Sequence, residues 1–204
     1  MRDEYLLKDS SELREIIGRP SAKLSEKITG ELDAYQSAFV AMAPIAFVST
    51  ADAAGNLEVS PKGDHPGFVE VFDAKTLLIP ERPGNKLAFG FENILKTGKI
   101  GLIFVIPGVI ETLRIGGRAR ISKDPELLSR LSAQGKPALL CTIVTVEKCW
   151  FHCGKALIRS QLWKPESWQP DARSNYTQQV AEAMRVDVQL VKKVVENDYE
   201  TNLY

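Results

Sequence analysis

Short apolar, β-rich runs fill the middle of the chain, from residue 45 to residue 151, and in 57–63, 68–73 and 111–121 apolar and polar residues alternate. Alternation with a period of two predicts strands with one buried face, and the tight turns between the runs predict antiparallel pairing. Two adjacent glycines, Gly116 and Gly117, predict a bulge inside one strand. The predicted strands are 45–50, 57–63, 68–73, 76–80, 99–107, 111–121 and 137–151.

Apolar residues recur at steps of three and four on both sides of this region, which is the spacing of amphipathic helices. The predicted helices are 12–17, a helical stretch from Ser21 to just before Pro44 that Gly30 interrupts, 85–98, 124–135 and a helical stretch through Val180 to Val195. We therefore predict an α+β fold that is mainly β with flanking helices. Few long connections separate the strands, which favours a closed antiparallel barrel over a doubly wound sheet.

The pattern divides the chain into three segments. Residues 1–43 are predicted to be a helical segment packed on the barrel, and residues 44–165 the barrel itself. Residues 166–204 begin with an irregular, proline-rich stretch and continue as a helical extension.

The charges balance, with 26 Lys and Arg against 26 Asp and Glu, so no global basic field recruits nucleic acid or anionic lipid. No apolar run approaches the roughly 18–20 residues that span a bilayer. The N-terminus is charged throughout, which argues against a secretory signal. We expect a cytoplasmic protein without nucleic-acid or membrane partners.

The three cysteines are an odd number crowded into a short stretch, which is no disulfide framework and fits a reducing compartment. A zinc site from Cys149, His152 and Cys153, with His65 as a fourth ligand, is the alternative. Structural zinc sites usually pair two well-spaced ligand couples, and the sequence has only one crowded cluster. We therefore expect no metal.

Motifs of protein-based catalysis are missing. The sequence has no GxSxG elbow, no GxxxxGK phosphate loop and no HExxH, and it contains only two histidines. The local sequence supports no Ser-His-Asp triad. These absences disfavour a hydrolase that works with side chains alone.

Cationic residues stand at turns beside the short strands. Lys62 lies where a strand turns, and Arg82 and Lys86 lie just before or within the first turn of the helix predicted over 85–98. Cations there oppose the helix dipole unless an anion sits between them, so they indicate a phosphate site. The alternative is that Arg82 pairs with Glu81 or Asp64 in solvent, which is common and contributes little.

Four stretches in succession resemble the FMN-binding split barrel of the pyridoxamine 5′-phosphate oxidase-like superfamily. They are SPKGDHPGFV, TLLIPERPGNKLAFGFENIL, KIGLIFVIPG and ETLRIGGRARI. The stretch KCWFHCGKALIRSQLW resembles the branch of pyridoxamine-phosphate-oxidase-related flavoproteins. The resemblance covers about residues 40–165 and implies an antiparallel split β-barrel, a homodimer, and FMN bound at the two-fold interface.

The resemblance also implies residue roles on the phosphate side. Lys86 matches the superfamily lysine that contacts the FMN phosphate. Asn85 stands where many members have arginine, and Arg82 is the candidate for the missing guanidinium. Ser60 and Lys62 correspond to the strand that brings polar contacts and a cation to the phosphate and ribityl chain.

Further roles concern the flavin ring. Ile79 and Pro80 fall where backbone atoms would meet the ring. Thr112 matches a polar position that hydrogen-bonds the cofactor, and Arg114 lies on the same strand face. The late segment that resembles the part reaching the partner subunit's flavin contains Arg159, Ser160 and Trp163.

Two departures separate the chain from authentic pyridoxamine-phosphate oxidases. SPKGD replaces the strand motif RxVLLK, and the sequence ends TNLY where those enzymes carry a tryptophan–arginine signature. We therefore expect an oxidoreductase with FMN that acts on another small molecule. The resemblance identifies no catalytic residue. His152 and Lys155 are the substrate-facing candidates, although a hydrogen-bonded, partly buried imidazole is the alternative for His152.

Two other classes stay open. Split barrels also bind haem or deazaflavin, so a non-catalytic flavin, haem or deazaflavin protein, or a sensor, is the alternative function. A dimeric interaction domain with an empty cleft follows if Lys62, Arg82 and Lys86 are merely solvated.

Overall fold

The computed structural model of the protein describes residues 2–204 and is built around one antiparallel sheet of seven strands. The strands pair in the order β2-β1-β5-β6-β7-β4-β3. Their bounds are β1 (Ile45–Ala51), β2 (Leu57–Gly63), β3 (Glu70–Asp73), β4 (Thr76–Glu81), β5 (Lys99–Val105), β6 (Thr112–Ser122) and β7 (Leu140–His152).

Within residues 2–204, eight α-helices precede, interrupt or follow these strands along the chain. They are α1 (Ser10–Ile17), α2 (Ala22–Ser25), α3 (Ala34–Met42), α4 (Phe89–Thr97), α5 (Pro125–Arg130), α6 (Lys155–Ser160), α7 (Tyr176–Met184) and α8 (Val188–Thr201), with 3-10 turns at Asp3–Tyr5 and Pro165–Ser167. In residues 2–204, no helix has both the length and the apolar content needed to cross a membrane.

The sheet curls but stays open along one line. β2 and β3 are its two edges, so within residues 2–204 no backbone ladder closes the ring. β3 pairs with β4 only as far as Leu78, and the rest of β4 faces β2 through side chains. We call this line, between β2 and the end of β4, the seam. The α+β split barrel is therefore confirmed, and the fully closed barrel suggested by the strand pattern is wrong.

The core fills the inside of the barrel because alternate residues of each strand point inward. Leu77, Phe104, Leu113 and Val144 are completely buried there. Helix α3 covers one end of the barrel, and its Phe39 ring meets the ring of Phe151 edge-on at 5.3 Å between centroids. Burial of large side chains of this kind is the dominant stabilising term of the fold.

A bulge between Gly116 and Gly117 shifts the register of β6 against β7, as the sequence predicts. At Gly117 the backbone of β7 comes so close that a Cβ atom would lie 2.0 Å from the Thr145 carbonyl oxygen. Only glycine permits this approach, and the bulge increases the local bend of the barrel wall.

The helical stretch predicted from Ser21 to Pro44 is wrong over residues 26–33, where the break is wider than the interruption expected at Gly30. The chain forms the short α2, then an extended stretch, then α3. In that stretch Thr29 exchanges backbone hydrogen bonds with Cys149 of β7, at 3.0 and 2.8 Å. Pairing with the sheet therefore replaces the helical hydrogen bonds between α2 and α3.

Two other predicted helices also differ in the structure: one is shorter, and one is divided into two. The helix predicted over 124–135 ends at Arg130. The helix predicted through Val180 to Val195 is two helices, because Arg185 adopts a left-handed conformation with φ 56° and Asp187 caps the N-terminus of α8. A non-glycine residue in that conformation ends the helix before it.

Candidate functional site

A cavity of about 520 Å³ opens at the seam, between β2, β4, the loop 82–88 and the start of α4. Apolar side chains such as Ile79, Phe91 and Ile94 form part of its wall. Charged side chains from the ends of β2 and β4 and from the loop 82–88 join them. Its volume falls within the range of about 300–1,000 Å³ typical of small-molecule sites.

Half of the sequence-predicted site residues meet at this cavity. Its lining includes Ser60, Lys62, Ile79, Pro80, Arg82, Asn85 and Lys86. The other candidates lie elsewhere on the chain and are described below.

Lys62 is held in place by an ion pair across the seam. It stands opposite the buried Ala46 in the β1–β2 ladder, so its side chain points to the inside of the barrel. Its Nζ donates to Oε2 of Glu81 at 2.5 Å and lies 5.0 Å from the centroid of the Phe91 ring. Both side chains are mostly buried, with 24% and 19% exposed.

A second ion pair crosses the seam just beyond the first. Nε of Arg82 donates to Oδ2 of Asp64 at 2.9 Å, and the two side chains are 15% and 4% exposed. The pairing of Arg82 with Asp64, one of the alternatives raised by the sequence, is therefore present, but it is buried rather than solvated. The two pairs have opposite polarity, since β2 and its end supply Lys62 and Asp64 while β4 and its end supply Glu81 and Arg82.

Asp64 also accepts hydrogen bonds from two other groups. Its Oδ1 accepts from the hydroxyl of Tyr204 at 2.8 Å and from the backbone N–H of His65 at 2.8 Å. Burial alone would raise the pKa of Asp64, but the hydrogen bonds from Tyr204, His65 and Arg82 outweigh it and hold that pKa below its usual value. Asp64 is therefore a stable carboxylate.

The loop 82–88 carries backbone strain. Lys86 and Ala88 both have positive φ angles, 63° and 58°, which cost non-glycine residues of order 1–2 kcal/mol each. Helix α4 begins only at Phe89, and its N-cap residue Ala88 makes no side-chain hydrogen bond to the first turn. The expected helix start at residue 85 is therefore wrong, and Lys86 lies in the strained loop rather than in a helical turn.

The cavity is lined by equal numbers of cationic and anionic side chains, but not all of them form ion pairs. Three cations, Lys62, Arg82 and Lys86, line it together with three carboxylates. Glu81 and Asp64 each engage one cation, whereas Lys86 forms no ion pair with any residue in 2–204. Lys86 is exposed. Among the residues that the structure describes, the unpaired positive charge therefore sits on the loop 82–88, and the unpaired negative charge is that of Glu58 on β2.

The remaining candidates on β6 face the outside of the barrel. Leu113 points inward and is completely buried, so Thr112 and Arg114 on either side of it point outward. Thr112 stands opposite His152 and Arg114 opposite Trp150. Nη1 of Arg114 lies 3.5 Å from Nδ1 of His152, and its guanidinium carbon lies 5.4 Å from the centroid of the Trp150 ring. We call these four residues the outer cluster.

The candidates of the late segment lie on or just after α6. Lys155, Arg159 and Ser160 are exposed, and the Ser160 hydroxyl donates to the Leu157 carbonyl in its own helix. Trp163 is half-buried, and its Nε1 donates to the Val109 carbonyl at 2.8 Å. This bond fixes the segment after α6 against the β5–β6 turn of the same chain.

Within one chain the outer cluster and the cavity do not form a single site. Cys141 pairs with Pro80 at the cavity end of β7, and His152 ends that strand. The two positions are roughly 35 Å apart along the strand at about 3.3 Å per residue. The cavity also opens among inward-facing residues, whereas the outer cluster points outward.

A groove with both apolar and charged walls runs along the outer face beside this cluster. It has a volume of about 630 Å³ and is lined in part by Phe47, Val59, Arg114 and Trp150. Phe47 on β1 is 40% exposed, and Val59 on the edge strand β2 is 61% exposed, so both leave apolar surface uncovered.

The cysteines occupy separate environments. Cys149 points inward, where its Sγ contacts Thr29 and Gln36, while His152 points outward from the same strand. Burial raises the pKa of the Cys141 thiol to about 11. No group of three potential ligands close enough to hold a metal ion occurs within residues 2–204.

Sequence reasoning missed Tyr204. Its contact with Asp64 joins residues 140 positions apart, and no motif or periodicity signals it. From the sequence alone, Glu81 and Asp64 are expected only as solvent-exposed partners of Arg82. Their position at strand ends beside the cations could have indicated that they belong to the site.

Several solved structures resemble this chain over part of its length. A HupZ protein from Group A Streptococcus is 21% identical, with a TM-score of 0.48 over 59% of this chain and 93% of its own. An FMN-binding protein from Syntrophomonas wolfei is 16% identical, with a TM-score of 0.43 over 70% of this chain and 92% of its own. A protein from Clostridium acetobutylicum related to general stress protein 26 is 19% identical, with a TM-score of 0.43 over 57% of this chain and 84% of its own.

No curated protein matches the sequence. The model of the family described as pyridoxamine 5′-phosphate oxidase does match, over residues 32–153. The match includes all seven strands, α4 and both ion pairs of the seam. The chain therefore belongs to the pyridoxamine 5′-phosphate oxidase family.

Proposed function

We propose that this protein is an FMN-binding oxidoreductase that acts on a small molecule and works as a homodimer. The observation that carries the proposal is the cavity at the seam, which combines apolar walls with an unpaired cation on a strained loop. Backbone strain of this kind persists where surrounding structure maintains it, and it clusters at ligand sites.

The donor groups suit a phosphate at the loop end of the cavity. Lys86 has no carboxylate partner among residues 2–204, and the first-turn amides of α4 receive no side-chain cap from Ala88. Amides at a helix N-terminus and a nearby lysine are groups that bind phosphate. The apolar walls at Ile79 and Ile94 suit the ring end of the same ligand.

The lining favours a flavin over haem. Haem iron requires an axial ligand such as His, Cys, Met or Tyr. None of these residue types lines the cavity in the part of the chain that the structure describes. The alternative of a haem protein therefore lacks support at this site.

A second copy of the chain would complete the site, because one chain does not bring its own outer cluster to its own cavity. The outer cluster lies away from the cavity of its own chain, and the groove beside it exposes the apolar side chains of Phe47 and Val59. A two-fold interface over this groove would bury both side chains. It would also place the outer cluster and the late segment with Arg159 and Trp163 near the partner's cavity.

In this arrangement the chain binds and orients while the cofactor carries electrons. FMN supplies the redox chemistry when bound. The ion pair with Glu81 fixes the position of the Lys62 side chain at the cavity. His152 and Lys155 face outward or are exposed, where they can meet a substrate at the interface.

The visible spectrum of the purified protein, reconstituted with FMN if necessary, tests the proposal. We expect paired absorption bands near about 370 and 450 nm that stay with the protein on gel filtration. Bleaching of the longer-wavelength band by a chemical reductant, and its return in air, would support redox function. A Soret band, or a protein that retains no flavin, contradicts the proposal.

A further inference from the structure

A residue outside the family match contacts the charged residues at the edge of the cavity. The match covers residues 32–153, which we call the family segment, and this residue, Tyr204, lies in the C-terminal extension beyond it. Its hydroxyl donates to Oδ1 of Asp64 at 2.8 Å, and its ring lies 6.0 Å from the guanidinium carbon of Arg82. Nζ of Lys136 donates to its backbone carbonyl at 2.6 Å. Three residues from three parts of the fold therefore hold Tyr204 at the seam.

The two oxygens of Asp64 have different partners. Oδ1 accepts from Tyr204 and from the backbone N–H of His65, while Oδ2 accepts from Nε of Arg82. With Oδ1 occupied, Asp64 and Arg82 form a single hydrogen bond rather than the two-bond fork that a free carboxylate and guanidinium prefer.

This arrangement leaves most of the Arg82 guanidinium unused. A guanidinium has five N–H groups, one on Nε and four on the two terminal nitrogens. Asp64 takes the Nε group, and the terminal nitrogens donate to no residue in 2–204. Arg82 lines the cavity and its side chain is 15% exposed. Asp64 therefore orients Arg82 through Nε and leaves the two terminal nitrogens, which can bind an oxyanion, without a partner in residues 2–204.

We propose that Asp64 and Tyr204 are positioning residues of the phosphate site, and that Tyr204 keeps the terminal amino groups of Arg82 available to the ligand by occupying Oδ1 of Asp64. The identity of the ligand as FMN rests on the function proposed above. The C-terminal extension thus completes a site whose other residues belong to the family segment.

Removal of the Tyr204 hydroxyl frees one lone pair on Oδ1 of Asp64. The carboxylate then pairs with Arg82 through both oxygens, because a bidentate pair is stronger than a single bond. A terminal amino group of Arg82 is consumed, and the phosphate loses a partner. The neutral ring end of the ligand is unaffected, since Tyr204 does not line the cavity.

Titration of the apoprotein with FMN and with riboflavin tests this inference, because riboflavin has the same ring but no phosphate. We expect Tyr204→Phe to weaken FMN binding about three- to tenfold, the scale of one hydrogen bond to a charged group, and to leave riboflavin binding unchanged. Tyr199→Phe is the matched control, since Tyr199 lies on α8, is 61% exposed and makes no side-chain hydrogen bond within residues 2–204. This control should change neither affinity.

A double-mutant cycle separates positioning from general structure. In an Arg82→Ala background, Tyr204→Phe should have no further effect on FMN binding, because the group that it positions is gone. Unchanged FMN affinity in Tyr204→Phe overturns the inference. Equal losses for FMN and riboflavin, or a full effect in the Arg82→Ala background, overturn it as well.

Inorganic phosphate distinguishes this inference from the cofactor assignment. If the wild-type protein binds no flavin but phosphate raises its Tm, the FMN proposal fails. The inference then stands if Tyr204→Phe reduces that Tm shift and falls if it does not. A wild-type protein that responds to neither FMN nor phosphate overturns both.

Discussion

At the scale of single residues, Lys86 differs from the other cations of the cavity because no carboxylate in residues 2–204 pairs with it. We expect Lys86→Ala to weaken FMN binding by about 1.5–3 kcal/mol, the scale of a charge-assisted hydrogen bond, with little effect on folding. The measurement is a fluorescence titration of the apoprotein with FMN.

Lys96→Ala is the control for Lys86→Ala. Lys96 is an exposed lysine of α4 that pairs only with Glu92 in its own helix, so its removal should leave FMN affinity unchanged. If Lys86→Ala also binds FMN normally, the phosphate does not lie at the loop 82–88.

The residues around the cavity could be predicted from sequence because they lie within short motifs at strand ends. Lys62, Arg82 and Lys86, which the resemblance assigns to the phosphate side, all line the cavity. Their contact with a phosphate stays a prediction. Their partners could not be predicted in the same way. Ion pairing depends on how deeply two strand ends are buried against each other, and the contact of Tyr204 with Asp64 depends on where the C-terminal extension packs.

At the scale of elements, strand bounds followed the short apolar and alternating runs closely, because most strands have one buried and one more exposed face. The exception is β4, which is buried on both faces and shows no alternation. Helix bounds did not follow periodicity as well. Apolar steps of three and four continue through residues 26–33, yet Thr29 pairs with β7 instead of continuing a helix. Local spacing cannot show whether a hydrogen-bond partner from a distant strand is available.

The ion pairs at the seam replace the backbone ladder that β2 and the end of β4 lack. We expect Glu81→Gln to lower the free energy of unfolding by about 1–3 kcal/mol, because it leaves the mostly buried Lys62 ammonium without its charge partner. Chemical denaturation measures this loss, and a double-mutant cycle with Lys62→Met isolates the pair.

Glu92→Gln is the comparison for the seam pair. The Glu92–Lys96 pair is about 60% exposed on both sides, so its loss should cost no more than about 0.5 kcal/mol. Equal effects of Glu81→Gln and Glu92→Gln would show that the seam pair contributes no more than a surface pair.

The bulge in β6 gives a second prediction at this scale. Gly117→Ala places a Cβ atom 2.0 Å from the Thr145 carbonyl oxygen, so the β6–β7 ladder must shift. We expect a loss of about 3 kcal/mol or more in the free energy of unfolding, measured by chemical denaturation. In Gly30→Ala the nearest atom is the Glu147 carbonyl oxygen at 3.6 Å, an ordinary contact, so stability should hardly change. A stable Gly117→Ala protein would mean that the barrel wall is more compliant than the bulge indicates.

At the scale of the whole molecule, two groups of candidate residues point in different directions. The cavity collects the residues on and after β2 and β4, while Arg114, Trp150 and His152 lie on the outer face with the exposed Phe47. The sequence could indicate both groups through the family resemblance, but only the fold shows that one chain keeps them apart. A composite site then requires two copies, in which each chain supplies the cavity of one site and the outer cluster of the other.

Complementation between variants tests this arrangement directly. Lys86→Ala impairs the cavity group, and Arg114→Ala impairs the outer cluster, so each homodimer has two weakened sites. In a mixed dimer one site combines both defects, while the other combines the intact Lys86 of one subunit with the intact Arg114 of its partner. After random subunit exchange we therefore expect about a quarter of all sites to recover wild-type FMN affinity. A titration of the exchanged mixture measures this fraction. If subunit exchange is demonstrated and no site recovers, the whole FMN site lies within one chain. A flavin-loaded monomer in sedimentation equilibrium would lead to the same conclusion.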